Sequence, residues 1–428
     1  MVVGTIIGAS IFVQPSVITG EMRSVGGVVL AWVLAGVLTL AGALICAELA
    51  SAFPTSGGVY VFLREAYSPA LGFLWGWAMF WSMHSGIIAA IAVVFARFVD
   101  YVVPLGGGAG DGGIRAVAIA AILALSLVNY CGVALGSGLQ AVLTIGKVLA
   151  IVTVIILGFW LGAGLPAHFV AAGGGQATSS PGALAAALAA GLFAFGGWHM
   201  VTYTAEETRD PQRTIPVALF IGTLLVTVIY VLLNTVYLYV LPVERVVAST
   251  RIAADAADAV LRRGGGAVVS VLVACSAFGA LAGIVLTGPR VYFSMARDGL
   301  LFRWVGAIHP RFGTPHRAIV LQAVWSSVLV ATGTYRALFT RVVFTEWIFF
   351  AAMAIGLVLL RPRPGYAPVY RIWGFPVVPL VFAAAAAVVA VSQIVAHPRD
   401  SVMGLLLVIA GLPVYVLWSV LTSTESDA

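Results

Sequence analysis

Apolar runs of about 20 residues recur along this chain from end to end, and each is long enough to cross roughly 30 Å of hydrocarbon. Apolar residues make up 61% of the sequence and charged residues 9%, with a mean hydropathy of +1.08. Soluble domains do not reach these values, so the sequence reads as an all-α polytopic membrane protein with no soluble domain of any size. Lipid offers the backbone no hydrogen-bond partners, so each run is expected to be a helix. The net charge of +6 comes without a dense basic cluster, which argues against nucleic acid as a partner. No cleavable signal peptide is expected, because the first run lacks a small-residue cleavage site followed by polar sequence.

Charged and Pro/Gly-rich breaks divide the runs into about twelve spans. They lie near residues 2–20, 25–51, 71–103, 114–132, 139–162, 182–204, 216–241, 267–296, 318–334, 337–360, 375–396 and 402–422. Span three is long enough to be strongly tilted. A glycine-rich loop at 106–113 follows it, and the polar linker EETRDPQRTIP follows span six. Under the positive-inside rule, a cytoplasmic N-terminus puts Arg290, Arg297, Arg303, Arg311 and Arg317 in one inside loop and Arg361, Arg363 and Arg371 in another. Arg245, Arg251, Arg262 and Arg263 then fall outside, so the bias is modest. Cys46, Cys131 and Cys275 lie in apolar stretches without metal-type spacing and read as small buried hydrophobes. No metal or cofactor is expected.

Two spans are interrupted by glycine in the same manner. Gly4, Gly8 and Pro15 loosen GTIIGASIFVQP in span one, and Gly196 and Gly197 loosen GLFAFGGWHMVTY in span six. Freed backbone groups inside a bilayer are costly unless they line a cavity or hold a ligand. A matched pair of broken helices is therefore the best sequence pointer to a carrier's substrate site. Five helices separate the two starts, and an odd number of crossings reverses direction. The arithmetic is that of a five-plus-five inverted repeat, residues 1–163 and 182–361, followed by two further helices at 375–422. At the first break, amides around Gly8, Ala9 and Ser10 suit a carboxylate. Carbonyls before that break and around Gly196 suit an ammonium, so the pair fits a zwitterion. Close helix packing is the alternative use of such glycines.

Several side chains stand out beside these breaks. Phe193, Phe195 and Trp198 surround the second, and Phe193 is the best candidate for a gate. His199 adds a titratable group there, with a structural hydrogen bond as its competing role. Lys147, near the middle of span five, has no acid nearby in sequence. It reads either as a fixed cation standing in for a transported one or as a lysine that titrates during the cycle, with snorkelling the ordinary alternative. Glu346 sits inside span ten. Selectivity and proton movement are open to it, and reaching the outer interface is the default. His84 is a weaker candidate, and Glu48 at the end of span two reads as interfacial.

GTIIGASIFVQP, FAFGGWHMVTYTAEETRDPQRTIP and MARDGLLFRWVGAIHPRFGTPHRAI resemble the amino acid–polyamine–organocation superfamily. The second stretch is most similar to the L-type amino acid transporter branch and its bacterial relatives. The resemblance implies a LeuT-type fold and alternating access, by rocking of a helix bundle, around a central amino-acid site. It implies a substrate carboxylate on amides around Ala9 and Ser10, and an amino group on carbonyls of Ile6, Phe193 and Gly196. Lys147 matches the helix-five lysine that projects where sodium-coupled relatives bind an ion, and Trp347 matches an aromatic near the side-chain pocket. Four departures stand beside it. The usual Gly-Ser-Gly of the first break is Gly8-Ala9-Ser10, and His199 replaces a residue that is often asparagine. Residues 104–114 contain no cysteine, so no disulfide-linked heavy chain is expected as a partner. About eight residues before the first break give only about 12 Å of helix, so a start upstream of Met1 is expected.

The expected function is secondary transport of amino acids across a plasma membrane, as an exchanger or a proton-coupled symporter. Sodium is disfavoured because Lys147 would repel it. A polyamine permease would favour acidic pocket residues, and only Glu346 offers that. A non-transporting sensor would carry a signalling tail, and an enzyme a catalytic pair; neither is seen in the sequence.

Overall fold

The computed structural model describes residues 1–8, 10–104, 112–161, 180–249, 251–261 and 265–426. Ala9 and residues 106–111 of the glycine-rich loop lie outside them. The described residues are helical, with no strand among them. Nine helices in them are long and apolar enough to cross a membrane: Val25–Ala52, Pro69–Val102, Gly112–Cys131, Val133–Leu161, Pro181–Glu207, Pro211–Val240, Val268–Arg297, Val377–Ala396 and Pro398–Val420. Phe344–Leu360 is a shorter apolar helix, and His316–Thr332 precedes it.

Helix starts follow local chemistry. Ser24, Ser68 and Ser180 accept the N–H of Gly27, Leu71 and Ala183, the pattern of an N-cap satisfying an orphan donor. Pro69 and Pro181 occupy first-turn positions where a missing N–H costs nothing. Within Pro69–Val102 the hydrogen bonding widens by one residue over Met79–Met83, where the His84 N–H reaches the Met79 carbonyl. Such a bulge turns the following side chains and often marks a functional region.

The helix Val133–Leu161 shows what solvent the fold expects. Leu135, Val142, Leu149 and Ile156 recur every seven residues on an exposed face, and Trp160 continues it. The opposite face buries Gly136, Gln140, Lys147, Ile151 and Gly158. The polar groups point inward and the aliphatic ones outward, which is stable only in lipid. Helices also approach closely through small residues: a Cβ on Gly36 would sit 2.3 Å from Thr227 Cγ2.

Two sequence expectations are corrected. Glu48 is not interfacial: it is fully buried, and its carboxylate receives Arg361 Nε at 2.8 Å, Arg361 Nη2 at 2.7 Å and the Ile372 N–H at 2.7 Å. This bidentate clamp ties the end of Val25–Ala52 to the segment beyond Leu360. Cys131 is only half-buried and Cys275 exposed, because their helix faces turn away from the core; Cys46 is buried. Between Pro211–Val240 and the following long helix, two short helices form, Val243–Ala248 and Ile252–Leu261. Replacing Glu48 by glutamine removes the charge but keeps the shape. Loss of one partner of a fully buried pair costs about 3–5 kcal/mol; Arg361 keeps some solvent exposure, so about 2 kcal/mol is expected. Thermal unfolding in detergent should shift down for Glu48→Gln, and an unchanged midpoint would contradict the clamp.

Candidate functional site

Regular helix ends at Ile6, a 3₁₀ turn covers Ser10–Phe12, and helix resumes over Gln14–Met22. In span six the helix Pro181–Ala194 ends at Phe195, and a 3₁₀ segment runs from Trp198 to Glu207. Gly197 joins the two at φ +98°, a conformation that favours glycine. It also lies against the first interruption, since a Cβ there would meet the Thr5 carbonyl oxygen at 2.9 Å.

The groups released by the interruptions are tied to other helices. Lys147 Nζ donates to the Gly4 and Ile7 carbonyls, each at 2.6 Å, and its side chain is buried. Tyr230 Oη lies 3.1 Å from the Ile6 carbonyl and 3.2 Å from that of Ala194. A phenol has one proton, so it donates to one of these at a time. Ser10 Oγ donates to Ala194 O at 3.4 Å. Tyr230 is itself fixed by Phe195 and Trp32, with ring centroids 4.9 and 5.5 Å away. One tyrosine thus joins the two interruptions.

Between them opens a cavity of about 240 Å³. That is roughly eight times the liquid volume of a water molecule, the scale of a small metabolite. Ile6, Gly8, Ser10, Phe193, Gly196, His199, Glu346 and Trp347, all singled out in the sequence, line it. Glu346 faces this cavity rather than an outer interface. Lys147 does not line it but stands behind the first interruption. Thr5, Gln14, Ile87 and Ile284 also line it and carried no signal in the sequence. Tyr230 was missed as well. So was Gln140, a buried amide that lines up with Lys147, two helical turns away on one face.

His199 is 1% exposed, and neither ring nitrogen has a hydrogen-bond partner. Its ring sits among Phe350, Trp198, Tyr203 and Trp75, with centroids 4.9, 5.3, 5.5 and 6.1 Å away. Nε2 lies 3.6 Å from Glu346 Oε1. His84, by contrast, has a hydrogen-bond contact from Nε2 to the Ile284 carbonyl at 2.9 Å.

Toward the Met1 end the structure is tied by ion pairs. Met1 Sδ accepts a contact from Thr204 Oγ1 there, at 3.7 Å. Arg290 grips Glu207, with Nε and Nη2 3.0–3.2 Å from its carboxylate oxygens. Arg297 Nη1 lies 2.8 Å from Glu206 Oε2. Asp298 receives Tyr60 Oη at 2.6 Å and the Arg64 guanidinium. Burial and then the Asp298 hydrogen bond push the Tyr60 phenol above its ordinary pKa. The cavity lies on the other side of the interruptions, where Val13, Gln14, Ile91 and Val94 line it.

Two comparisons bear on this arrangement. The profile of a family described as amino acid permease matches residues 1–418. The chain is 32% identical over 419 residues to the serine/threonine exchanger SteT of Bacillus subtilis (strain 168), covering 97% of this chain and 94% of that one. It is 31% identical over 425 residues to the human b(0,+)-type amino acid transporter 1, covering 98% and 86%. The mouse Asc-type amino acid transporter 1 is 31% identical over 424 residues, covering 97% and 79%.

Proposed function

The chain belongs to the amino acid permease family, and on that premise we propose that the cavity between the two interruptions is where it binds and passes amino acids. It is a multi-pass membrane transporter and not an enzyme. The observation that carries the site is convergence: eight residues picked from distant parts of the sequence line one cavity. The substrate carboxylate sits on amides of the first interruption around Ser10 and Ala9. Its ammonium meets carbonyls of Ile6, Phe193 and Gly196, with Tyr230 turning to Ala194 as it arrives. Phe193, 39% exposed at the cavity wall, closes over the bound substrate. The repeats are residues 1–163 and 182–361, with 375–422 added, and the N-terminus is cytoplasmic in a plasma membrane. A helix bundle rocks to give alternating access.

Exchange of one amino acid for another is the favoured mode. The Bacillus relative is named an exchanger, and the Lys147 ammonium fills a carbonyl pair that would otherwise suit a cation. No disulfide-linked heavy chain takes part, since residues 104–114 offer no cysteine.

Reconstitution in liposomes with radiolabelled amino acids tests this. Uptake should be strong into vesicles preloaded with amino acid and weak into empty ones. Uptake into empty vesicles driven by a pH gradient would replace exchange by proton symport. No uptake of any amino acid under either condition would remove the site assignment.

A further inference from the structure

We propose that Glu346, with His199 behind it, is the side-chain subsite of this cavity and selects amino acids whose side chain ends in a hydrogen-bond donor. The proposal rests on the cavity being the amino-acid site. Most of the wall is apolar, with Ile87, Ile91, Ile284, Trp347 and Phe350. Its hydroxyls are already used: Thr5 Oγ1 donates to the Val2 carbonyl at 3.0 Å, and Ser10 Oγ to Ala194. The Glu346 carboxylate lines the cavity and stands 3.6 Å from His199 Nε2, beyond ordinary hydrogen-bond length. His199 is enclosed by four aromatic rings, and both its nitrogens lack partners. Nε2 is the nitrogen on the Glu346 side.

Buried polar groups in folded proteins are paired, so an unfilled pair facing a cavity marks a place where the ligand completes the bonding. An ionised carboxylate only accepts hydrogen bonds. A hydroxyl, amide or ammonium at the end of the substrate side chain satisfies it, and an apolar isostere leaves it bare. Sites built around a hydrogen bond reject the analogue that lacks it far more strongly than apolar pockets reject a missing methylene.

The test uses the full chain in liposomes and three near-isosteric pairs: threonine and valine, asparagine and leucine, lysine and norleucine. The wild type should prefer the donor member of at least one pair by roughly ten- to hundredfold, the scale of one hydrogen bond to a charged group. Glu346→Leu should bring that ratio close to one. Glu346→Gln, which keeps an acceptor and loses the charge, should erase a preference for lysine and retain one for threonine or asparagine, so the two variants distinguish a cationic from a neutral donor. The ratio is internal to one preparation, so a fall in the amount of folded protein does not move it. Equal handling of every pair by the wild type, or a ratio surviving in Glu346→Leu, overturns the subsite while leaving the permease reading intact. Failure to take up any of the six overturns the cavity assignment as well.

Discussion

Lys147→Ala should lower amino-acid uptake by about a hundredfold. The ammonium holds the Gly4 and Ile7 carbonyls, both at 2.6 Å, in a buried setting. Truncation frees both acceptors, and each buried group left unpaired costs about 1–3 kcal/mol. Two such losses amount to roughly 2–6 kcal/mol, a range that includes the roughly 2.8 kcal/mol of a hundredfold change in an equilibrium. The chain between Ile6 and Gln14 then has no reason to keep the shape that presents its amides. Arginine should not rescue, because its planar fork is bulkier than the compact ammonium that two closely spaced carbonyls accommodate. Counterflow per unit of monodisperse protein is the measurement, and wild-type counterflow in Lys147→Ala would show that the lysine only fills space.

Gly197→Ala should abolish substrate binding to a similar degree. Its φ of +98° is strained for any residue with a Cβ, and that atom would meet the Thr5 carbonyl oxygen at 2.9 Å. Because the neighbour is backbone, relief must come from pushing the two interruptions apart. Gly146→Ala is the fitting control: a Cβ there meets nothing within 4 Å, and its helical position gains from alanine. Ligand-induced thermal stabilisation by amino acids should vanish in the first variant and persist in the second. Retained stabilisation in Gly197→Ala would mean that the close approach to Thr5 is not needed for binding.

Different parts of this protein were legible in the sequence to different degrees, for physical reasons. The membrane spans could be read because hydrocarbon thickness sets a length and charge is excluded along it. The interruptions could be read because glycine and proline act locally. Tyr230 could not, since an aromatic in an apolar span has no periodic signature and its partner Ile6 is 224 residues away. Glu48 was misplaced for the same reason: Arg361, 313 residues on, allows full burial. The helices Val243–Ala248 and Ile252–Leu261 were hidden by their shortness and their charges. His199 and Glu346 were each visible, but their proximity was not, because nothing in one sequence relates a residue of span six to one of span ten.

On the alternating-access reading proposed above, the ion pairs Arg64–Asp298, Arg290–Glu207 and Arg297–Glu206 favour the facing in which they are joined. Arg290 is buried, whereas the two pairs with solvent access on both sides, Arg64–Asp298 and Arg297–Glu206, contribute about 0.2–1 kcal/mol each, roughly 0.4–2 kcal/mol together. That corresponds to a population ratio of roughly two to thirty in favour of the facing in which they are joined. A bias of this size tilts the empty carrier toward the facing that is closed at the Met1 end. It is also shallow enough for the differential affinity of one small ligand to reverse it.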